Sequence, residues 1–578
     1  MSVDEAHEIP VEARDWPRRA LAWLARRPWT SLGLLCLLLW TPGVLSLPPL
    51  DRDESRFAQS SRQMLESGNF IDIRFGHVPR YKKPVGIYWL QAATTEVAGL
   101  GDRSKIWTYR LASLLGGLLA VLLTFWCARA FVAAEAAWLG AALLGTSLLL
   151  TAEATIATTD AVQLACLMGA MGVLLRVYLA GRDPQRAAPH TGLVLAGWTA
   201  FAAGILVKGP VVPAVCAVTI IALVAWDRDW RWLKLLKPLW GVPLALLIVA
   251  PWAIAIALTS HGQFYEQSLG HDFSAKLVAE QETHGGWPGY YLLLVSFSFW
   301  PAILFLAPAV GAAARRYADP ATRFLLCWSV PSWVMFELVP TKLPHYVLPV
   351  YPALAILVAV WLLAPREKNP PRWQSALFYL ACAQFWLALL AIAAAPVLAT
   401  TRFGAGAPTW LMASSIAVSL IGLGALWAQF RRLPIVAAGL AATAALVIYP
   451  AISAGAGPRL EKLWLSPHAA ALVAKDTRAG DPPVALAGYA EPSLVFFLGS
   501  ETRLTDGAGA ADSGAGQGGL ALIEDHERSA FLAHLAELEA DATKVDELSG
   551  YNYSRGRPVH ITIYRITATH DVTEPPAE

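Results

Sequence analysis

The sequence predicts a polytopic α-helical membrane protein with a small α/β domain at its C-terminal end. Of its 578 residues, 56% are hydrophobic and only 15% are charged, and the mean hydropathy is +0.46. A soluble protein of this length needs more charge to cover its surface. Long apolar runs recur up to about residue 452, and beyond that point short apolar runs alternate with helical patterns.

The N-terminal segment, 1–30, is polar and amphipathic and precedes the first apolar run. It carries five arginines, and no small-residue cleavage site follows the run at 32–50. We therefore do not expect a cleaved signal peptide. Because basic residues favour the cytoplasmic side of membrane spans, the arginines predict a cytoplasmic N-terminus.

About thirteen segments are long and apolar enough to cross a bilayer, which takes roughly 20 residues. They are 31–49, 106–129, 135–151, 161–180, 191–207, 210–226, 238–258, 289–310, 323–340, 346–364, 375–397, 409–430 and 433–450. With the N-terminus inside, most basic clusters fall in cytoplasmic loops, as the positive-inside rule requires. The odd count places a C-terminal domain, 453–578, on the periplasmic side of a transmembrane domain, 31–452.

The first outer loop, 50–105, carries the most informative motif. Asp51–Arg56 places three carboxylates and two arginines beside the membrane, and Arg80–Pro84 follows about thirty residues later as a basic counterpart. Charges beside a bilayer are costly and usually functional unless they are anchors. The two clusters predict a site for a charged headgroup. Two amphipathic segments of the loop, 60–67 and 85–98, are predicted to be interfacial helices.

Other polar residues of the predicted outer face include basic ones that the positive-inside rule disfavours there. Lys83, Lys208 and Lys342 are therefore candidates for anion binding. Simpler roles stay open: the carboxylates of the first motif pair with its own arginines, Lys83 is an interfacial anchor, and Asp160 caps the helix that it starts.

The C-terminal domain is predicted from four short strands and two helices. The strands are 482–489, 494–498, 519–524 and 560–566, and the helices are 466–477 and 527–539. This alternation is typical of a small α/β domain. The glycine-rich tract 507–519 is predicted to be a flexible loop without the fingerprint of a nucleotide site.

Five short motifs occur in order along the predicted outer face. They are Asp53-Glu54-x-Arg56, Arg80-Tyr81-x-Lys83-Pro84 with Tyr88-Trp89, Thr159-Asp160, Leu206-Val207-Lys208-Gly209, and Lys342-Leu343-Pro344-His345-Tyr346. The series resembles the ArnT-like branch of the GT-C glycosyltransferases, which includes the lipid A aminoarabinose transferases and is related to the protein O-mannosyltransferases. The segment 491–494 is similar to the outer domain of that family, so the resemblance covers essentially the whole chain.

The resemblance implies a GT-C fold and a sugar donor carried on a polyprenyl phosphate. Transfer breaks the bond between the anomeric carbon and the phosphate oxygen. Because a lipid phosphate is already a good leaving group, cations that hold its charge suffice and no general acid is required. Lys83 is the first candidate for this role, with Arg56, Lys208 and Lys342 as helpers.

Under this resemblance Asp53, Glu54 and Asp160 are the catalytic candidates. If the acceptor is a hydroxyl, Asp53 is the natural general base. If the acceptor is the phosphate of lipid A, Asp53 instead positions it or offsets positive charge at the anomeric carbon. Of the first two carboxylates, Glu54 is the better candidate for a structural role.

Four rings are expected to line the sugar or lipid pocket, since ring faces and hydroxyls suit a sugar: Tyr81, Tyr88, His345 and Tyr346. For Tyr346, anchoring in the aromatic belt of the membrane is an equal alternative. Members of the family tend to carry another residue where His345 stands, which leaves the sugar and the acceptor open.

These residues identify no particular cofactor, and a divalent cation is left as an option, held by Asp53, Glu54 or His284. Three histidines, including His284, share the loop 259–288, but their spacing is not that of a metal-ligand pair. All six cysteines lie in apolar runs and predict neither disulfides nor a metal site.

The expected function is transfer of a sugar, with 4-amino-4-deoxy-L-arabinose as the first candidate, from undecaprenyl phosphate to lipid A at the periplasmic face. A close alternative is another polyprenyl-phosphate sugar, such as galacturonic acid or a hexose, transferred to another glycan or to protein. A lipid transporter is disfavoured because no internal repeat is found and the polar residues gather at one face. We expect a monomer in the bacterial inner membrane that binds donor, acceptor and membrane lipids but no nucleic acid.

Overall fold

The computed structural model describes residues 11–273, 286–365, 371–516 and 518–567, and most of them are helical. The helices up to residue 450 are α1 Val11–Arg26, α2 Pro28–Ser46, α3 Asp53–Ser67, α4 Gly86–Gly99, α5 Ile106–Ala128, α6 Ala134–Gly145, α7 Leu148–Thr155, α8 Asp160–Arg182, α9 Thr191–Lys208, α10 Val211–Asp227, α11 Pro238–Thr259, α12 Gln263–Tyr265, α13 Tyr290–Ser298, α14 Ile303–Arg315, α15 Pro320–Leu338, α16 Tyr351–Leu363, α17 Arg372–Phe403, α18 Thr409–Phe430 and α19 Pro434–Pro450. A short hairpin of β1 Arg74–Phe75 and β2 Val78–Pro79 lies between α3 and α4, and a 3₁₀ helix, Pro344–Val350, leads into α16.

Within these described ranges, nine helices are long and apolar enough to cross a membrane, and ten if α6 and α7, bent by 62°, form one span. The chain is a multi-pass membrane protein. Each of the thirteen predicted segments contains helix, but the count of thirteen spans is not confirmed. α10 and α14 are shorter than the nine, and α15 carries Arg323 and Glu337 and is not one of them.

Two central helices, α5 and α8, approach each other closely because a glycine lies at their contact. A Cβ on Gly116 would lie 2.7 Å from the Cα of Val162, so no larger residue fits without a shift of backbone. Small residues at such contacts allow membrane helices to pack tightly. The contact fixes the relative positions of Arg110 on α5 and Asp160 at the start of α8.

The bend between α6 and α7 and the turn 156–159 form an irregular stretch beside α5. The hydroxyl of Ser113 donates to the carbonyl oxygen of Thr158 over 3.0 Å and holds this turn. Irregular backbone at membrane depth is found where it is buried in protein or lines a cavity. This turn ends at Asp160, so it delivers a carboxylate to the end of the helical bundle.

The C-terminal domain contains α20 Leu465–Asp476, β3 Ala485–Ala487, α21 Pro492–Leu498, β4 Arg503–Thr505, α22 Gly507–Ala515, β5 Gly519–Glu524, α23 Arg528–Glu537, β6 Asp541–Asn552 and β7 Arg557–Thr567. Its sheet has the strand order β4-β3-β5-β7-β6, with β4, β3 and β5 parallel and β7 antiparallel to both of its neighbours. The α/β domain is confirmed.

Two local predictions in this domain were wrong. The apolar run 494–498 lies in α21, because a short apolar run does not by itself distinguish a strand from a buried helix. The tract 507–519 forms α22 instead of a loop. Asp506 caps this helix by accepting from the backbone N–H of Gly509 at 2.8 Å, and Gly507 permits contact with the carbonyl of Glu527.

The C-terminal domain packs on the first loop rather than standing apart from it. The backbone N–H of Asp51 donates to the hydroxyl of Tyr553 over 2.7 Å, and Arg62 on α3 donates to the carbonyl oxygen of Phe496 over 2.9 Å. One turn earlier on α3, Gln59 donates to the hydroxyl of Ser500. The C-terminal domain therefore holds the loop that carries the first motif at several points.

Candidate active site

A polar cavity of about 310 Å³ lies where the first loop meets the membrane helices. Its wall comes from the start of α3, the basic segment before α4, the turn between α7 and α8, the end of α9 and the segment leading into α16. Five carboxylates and six basic side chains line it: Asp51, Asp53, Glu54, Glu153, Asp160, Arg52, Arg56, Arg80, Lys82, Lys83 and Lys208. His345 and Tyr346 also line it.

Asp53 is the exposed carboxylate of this wall. It lies in the first turn of α3, its side chain is 60% exposed, and its Oδ1 is 3.9 Å from Nη2 of Arg80. The preceding Arg52 has φ 65°, a conformation that is unfavourable for a residue with a side chain. The Arg52 guanidinium donates to the carbonyl oxygen of Ser554 in the C-terminal domain. That contact helps to hold the turn that presents Asp53 to the cavity.

Glu54, the residue after Asp53, is buried, and both of its carboxylate oxygens accept hydrogen bonds. Arg110 on α5 donates from Nε to Oε1 at 2.7 Å and from Nη2 to Oε2 at 2.9 Å. The backbone N–H groups of Leu50 and Ala157 each donate to the same carboxylate at 2.8 Å. Glu54 thus joins the first loop, α5 and the turn before α8. Its partner is Arg110, and not the neighbouring arginines of the motif.

Asp160 lies in another part of the cavity wall, where it pairs with Lys208. Nζ of Lys208 is 2.5 Å from Oδ1 of Asp160, and the Thr159 hydroxyl donates to Oδ2 at 3.1 Å. No hydrogen bond from the Asp160 side chain caps α8 in the described structure, whose N-cap residue is Thr159. The alternative of simple capping is therefore wrong, and Asp160 instead holds an ammonium group at the cavity wall.

The ring residues of the segment before α16 complete this side. Tyr346 lies beside Lys208, with 5.8 Å between Nζ and the ring centroid. Nδ1 of His345 is 3.8 Å from Oε1 of Glu153, whose Oε2 accepts from the Thr158 hydroxyl at 2.7 Å. A cation, two rings and two carboxylates thus converge on one wall, a combination suited to a polar ligand that carries an anionic group.

The basic side chains outnumber the carboxylates that remain available to them. Glu54 is paired with Arg110, and Asp160 is paired with Lys208. Among the residues that the structure describes, no ion pair joins Arg56 or Lys82 to a carboxylate. The local field of this cavity therefore favours an anion.

Three predicted site residues do not line the cavity in the described parts of the chain. Nζ of Lys342 is 2.5 Å from the carbonyl oxygen of Glu337 and 4.0 Å from its carboxylate. Tyr81 donates its hydroxyl to Asp72 at 2.8 Å; burial and this carboxylate raise the pKa of Tyr81 to about 12. Tyr88 is fully buried against Phe57. These three side chains pack around the site, and their contact with the ligand stays a prediction.

An apolar groove of about 510 Å³ adjoins the polar cavity. The two share a wall of five residues: Lys82, Lys83, Lys208, His345 and Tyr346. Beyond that wall the groove is lined mainly by apolar side chains of α9, α10, α11 and α15. A charged compartment thus opens directly into an apolar one, which matches a ligand with an anionic head and a long hydrocarbon tail.

Comparison with known proteins finds a family model that matches part of the chain and several similar proteins. Residues 36–262 match the family described as dolichyl-phosphate-mannose-protein mannosyltransferase. The undecaprenyl phosphate-alpha-4-amino-4-deoxy-L-arabinose arabinosyl transferase of Erwinia tasmaniensis is 31% identical over 309 residues, which are 53% of this chain and 54% of that protein. The protein of the same name from Enterobacter sp. is 29% identical over 345 residues, 59% of this chain and 61% of that protein. The chain spans little more than half the length of these curated relatives.

Solved structures give a match over nearly the whole length. ArnT from Cupriavidus metallidurans bound to undecaprenyl phosphate has a TM-score of 0.70 at 22% identity, and the match covers 94% of this chain and 98% of that chain. The apo state of the same protein matches with a TM-score of 0.69 at 21% identity. This chain has the ArnT-like GT-C fold. The resemblance predicted from the five motifs is confirmed.

Within this ArnT-like fold, Arg110 and Glu153 are the site residues that the sequence did not single out for a role. A signal for Arg110 was present, since an arginine inside an apolar run is a functional candidate by default. Its partner could not be predicted, because Glu54 lies 56 positions away in another element. Glu153 was expected on the outer face, but its contact with His345 depends on the bend before α7.

The residues present do not fit the optional divalent cation at Asp53 and Glu54. Glu54 already accepts four hydrogen bonds, and Asp53 faces the guanidinium of Arg80. In the described ranges, no group of three or more His, Cys, Asp or Glu side chains is placed to hold a metal ion. His284 lies outside the described residues.

Proposed function

We propose that this chain is an integral-membrane glycosyltransferase that moves a sugar from undecaprenyl phosphate to lipid A. The observation that carries the proposal is the wall shared by the polar cavity and the apolar groove. A lipid phosphate placed there has cations around its head and an apolar channel for its tail. The curated relatives bear names of aminoarabinosyl transferases that use undecaprenyl phosphate, which makes 4-amino-4-deoxy-L-arabinose the first candidate for the sugar.

The donor phosphate lies, in this proposal, between Lys83, Lys208 and Arg56. Charge-assisted hydrogen bonds from such groups to phosphate oxygens are about twice as strong as neutral ones. Asp160 positions Lys208 through their short contact, so the ammonium stays at the wall instead of reaching away. The prenyl chain extends into the groove past Trp252 and Phe336.

Transfer then breaks the bond between the anomeric carbon and the donor phosphate oxygen. The electron pair of that bond stays on the phosphate, whose growing negative charge the same cations stabilise more strongly than in the ground state. The acceptor oxygen forms the new bond from the opposite side. No general acid is needed, since the leaving group departs as a phosphate.

Asp53 is the acceptor-side carboxylate of the proposal because its side chain is exposed, whereas Glu54 is buried and bound to Arg110. With a hydroxyl acceptor, Asp53 removes its proton. With a phosphate acceptor, the nucleophile is already ionised, and Asp53 orients it through Arg80. Glu54 and Arg110 order the turn that carries Asp53 and do not touch the substrate.

A protein acceptor is the second candidate. It is favoured by the match of residues 36–262 to the dolichyl-phosphate-mannose-protein mannosyltransferase family. Another polyprenyl-phosphate sugar is compatible with the same cavity, since the phosphate and the tail carry most of the recognition. We further propose that the cavity opens to the periplasm from the bacterial inner membrane, with the N-terminus in the cytoplasm.

The experiment uses the purified chain in nanodiscs with a panel of undecaprenyl-phosphate sugars and either lipid A or a periplasmic protein extract. Glycosylated products are scored by mass spectrometry for the wild type, Lys83→Ala and Lys105→Ala. Lys105 is the control because its exposed ammonium pairs with Asp102 and does not line the cavity. We expect product from the wild type and Lys105→Ala, and a loss of at least about 100-fold for Lys83→Ala.

Two outcomes decide between the remaining alternatives. Retained activity of Asp53→Asn indicates a phosphate nucleophile, and a loss comparable to that of Lys83→Ala indicates a hydroxyl nucleophile. Failure of the wild type to consume any donor of the panel contradicts the proposed transferase activity.

A further inference from the structure

A second large cavity, of about 580 Å³, lies at the other end of the helical bundle from the candidate active site. Tyr346 lines the active site and Ala364 lines this cavity, at the two ends of the same apolar segment. At 1.5 Å per residue the two positions are separated by roughly 27 Å. That separation is close to the thickness of the hydrocarbon core, so the second cavity opens at the opposite membrane face.

The walls of the second cavity combine arginines with aromatic rings. Arg315, Arg316 and Arg432 line it, together with Trp361 and Phe378. No described residue of its lining is a carboxylate. Arg315 also packs on the ring of Trp373. The combination of three arginines with apolar and aromatic side chains favours an amphiphile with an anionic head.

One buried side chain adds an independent sign of a ligand. Gln429 on α18 lines the cavity and is fully buried. In the described structure neither its Oε1 nor its Nε2 has a hydrogen-bond partner. A buried amide without a partner is costly, and native proteins rarely leave one unsatisfied. A ligand headgroup in this cavity would supply both the acceptor and the donor that the amide lacks.

We infer that this cavity is a binding site for an amphiphile whose phosphate head gives it a net negative charge. Arg316 and Arg432 hold that charge, and polar atoms of the head bond to the Gln429 amide. Basic residues also accumulate at this face under the positive-inside rule. A general excess of positive charge would attract anionic lipid through any of these residues, whereas a binding site requires particular arginines. Arg431, adjacent to Arg432, packs on Trp427 and does not line the cavity.

The test is native mass spectrometry of the purified full chain with phosphatidylglycerol, with zwitterionic phosphatidylethanolamine and with undecaprenyl phosphate. The wild type is compared with the double variant Arg316→Gln/Arg432→Gln and with Arg431→Gln as the matched control. We expect the double variant to bind one equivalent of an anionic lipid with an affinity at least about tenfold lower than that of the wild type. Arg431→Gln should bind that equivalent as the wild type does. If the double variant loses bound phosphatidylglycerol, the occupant of the cavity is a bilayer phospholipid. If it loses one of two bound equivalents of undecaprenyl phosphate, the occupant is a second polyprenyl phosphate.

Equal retention of phosphatidylglycerol and phosphatidylethanolamine by the wild type would overturn the inference. An equal loss in Arg431→Gln and in the double variant would do the same, because bulk charge would then explain the binding. Gln429→Leu supplies a second check. This substitution should raise the melting temperature without added lipid, since it removes an unsatisfied amide. It should also weaken the binding of the anionic lipid. Unchanged lipid affinity in Gln429→Leu contradicts the role of the amide.

Discussion

At the scale of single residues, the two adjacent carboxylates of the first motif have opposite environments. Asp53 is exposed to the cavity, whereas Glu54 is buried under Arg110 and two backbone N–H groups. The buried pair ties the first loop to α5 and to the turn before α8. Its role in the account is to position Asp53 and Asp160, which belong to the elements that it joins.

Removal of Arg110 should be strongly destabilising, because it leaves the Glu54 charge buried without a partner. For Arg110→Ala we expect a loss of about 3–5 kcal/mol in the free energy of unfolding, seen as a lower melting temperature in detergent. The control Lys544→Ala breaks an exposed pair with Glu547 and should change stability by less than about 1 kcal/mol. An Arg110→Ala protein that melts like the wild type would show that the pair does not hold the loop.

Asp51 gives the contact between the first loop and the C-terminal domain a dependence on pH. Burial raises the pKa of Asp51 to about 6, and repulsion by Glu491 adds to the effect, while hydrogen bonds from Ser493 and Tyr553 oppose it. A carboxyl with a raised pKa stabilises the folded state most below its ordinary pKa. That stabilisation is lost as the pH rises through about 6.

Asp51→Asn should therefore stabilise the protein at neutral pH and have little effect in acid. The asparagine keeps an acceptor for Ser493 but cannot ionise. We expect the difference in melting temperature between Asp51→Asn and the wild type to grow from pH 4.5 to pH 7.5. A difference that is constant over this range, measured by thermal unfolding in detergent, would contradict the raised pKa.

At the scale of elements, the helices were predictable from the sequence and their interruptions were not. Apolar length fixes where helix forms in all thirteen predicted segments. The bend between α6 and α7 depends on packing against α5, which one sequence does not display. In the C-terminal domain, α22 forms in a glycine-rich tract because its small residues allow contact with α23 and the sheet, so tertiary packing overrides local propensity.

In the candidate site too, the sequence predicted some features and the packing of the chain decided others. The motifs predicted that Asp53, Lys83, Asp160, Lys208 and His345 would share one face, and the structure brings them to one cavity. Lys342 belongs to the same motif as His345, yet its ammonium bonds to Glu337. Lys342 lies just before the 3₁₀ helix Pro344–Val350 that carries His345, so a motif cannot decide which of its residues reaches the cavity.

The close contact of α5 with α8 provides a test at this scale. Gly116→Ala places a methyl group 2.7 Å from the Cα of Val162 and must displace backbone. We expect a loss of about 1–3 kcal/mol in stability and a fall in transfer activity, because α5 carries Arg110 and α8 carries Asp160. Gly33→Ala on α2 is the control, since nothing lies within 4 Å of its added methyl group. Equal behaviour of the two variants in thermal unfolding and in the transfer assay would contradict this role.

In the whole molecule, the two proposed anionic-lipid sites lie at opposite ends of one helical bundle. The C-terminal domain covers the end that holds the polar cavity, and the loops with most of the basic clusters lie at the other end. The proposed orientation puts the first end in the periplasm.

Cysteine labelling tests that orientation. The described native cysteines are buried except Cys166, which is partly buried. Lys475→Cys lies on the exposed surface of the C-terminal domain, and Arg186→Cys follows α8 at the opposite end. A membrane-impermeant maleimide should label Lys475→Cys in intact spheroplasts and Arg186→Cys only after lysis. The reverse pattern would place the candidate site in the cytoplasm.

We propose that the polar cavity holds a lipid-linked phosphate whose tail fills the adjoining groove. The most direct measurement is a cryo-electron microscopy map of the full chain in nanodiscs with undecaprenyl phosphate. We predict phosphate density between Lys83, Lys208 and Arg56, with prenyl density passing Trp252. Phosphate density that avoids this wall, with the groove filled by other lipid, would contradict it.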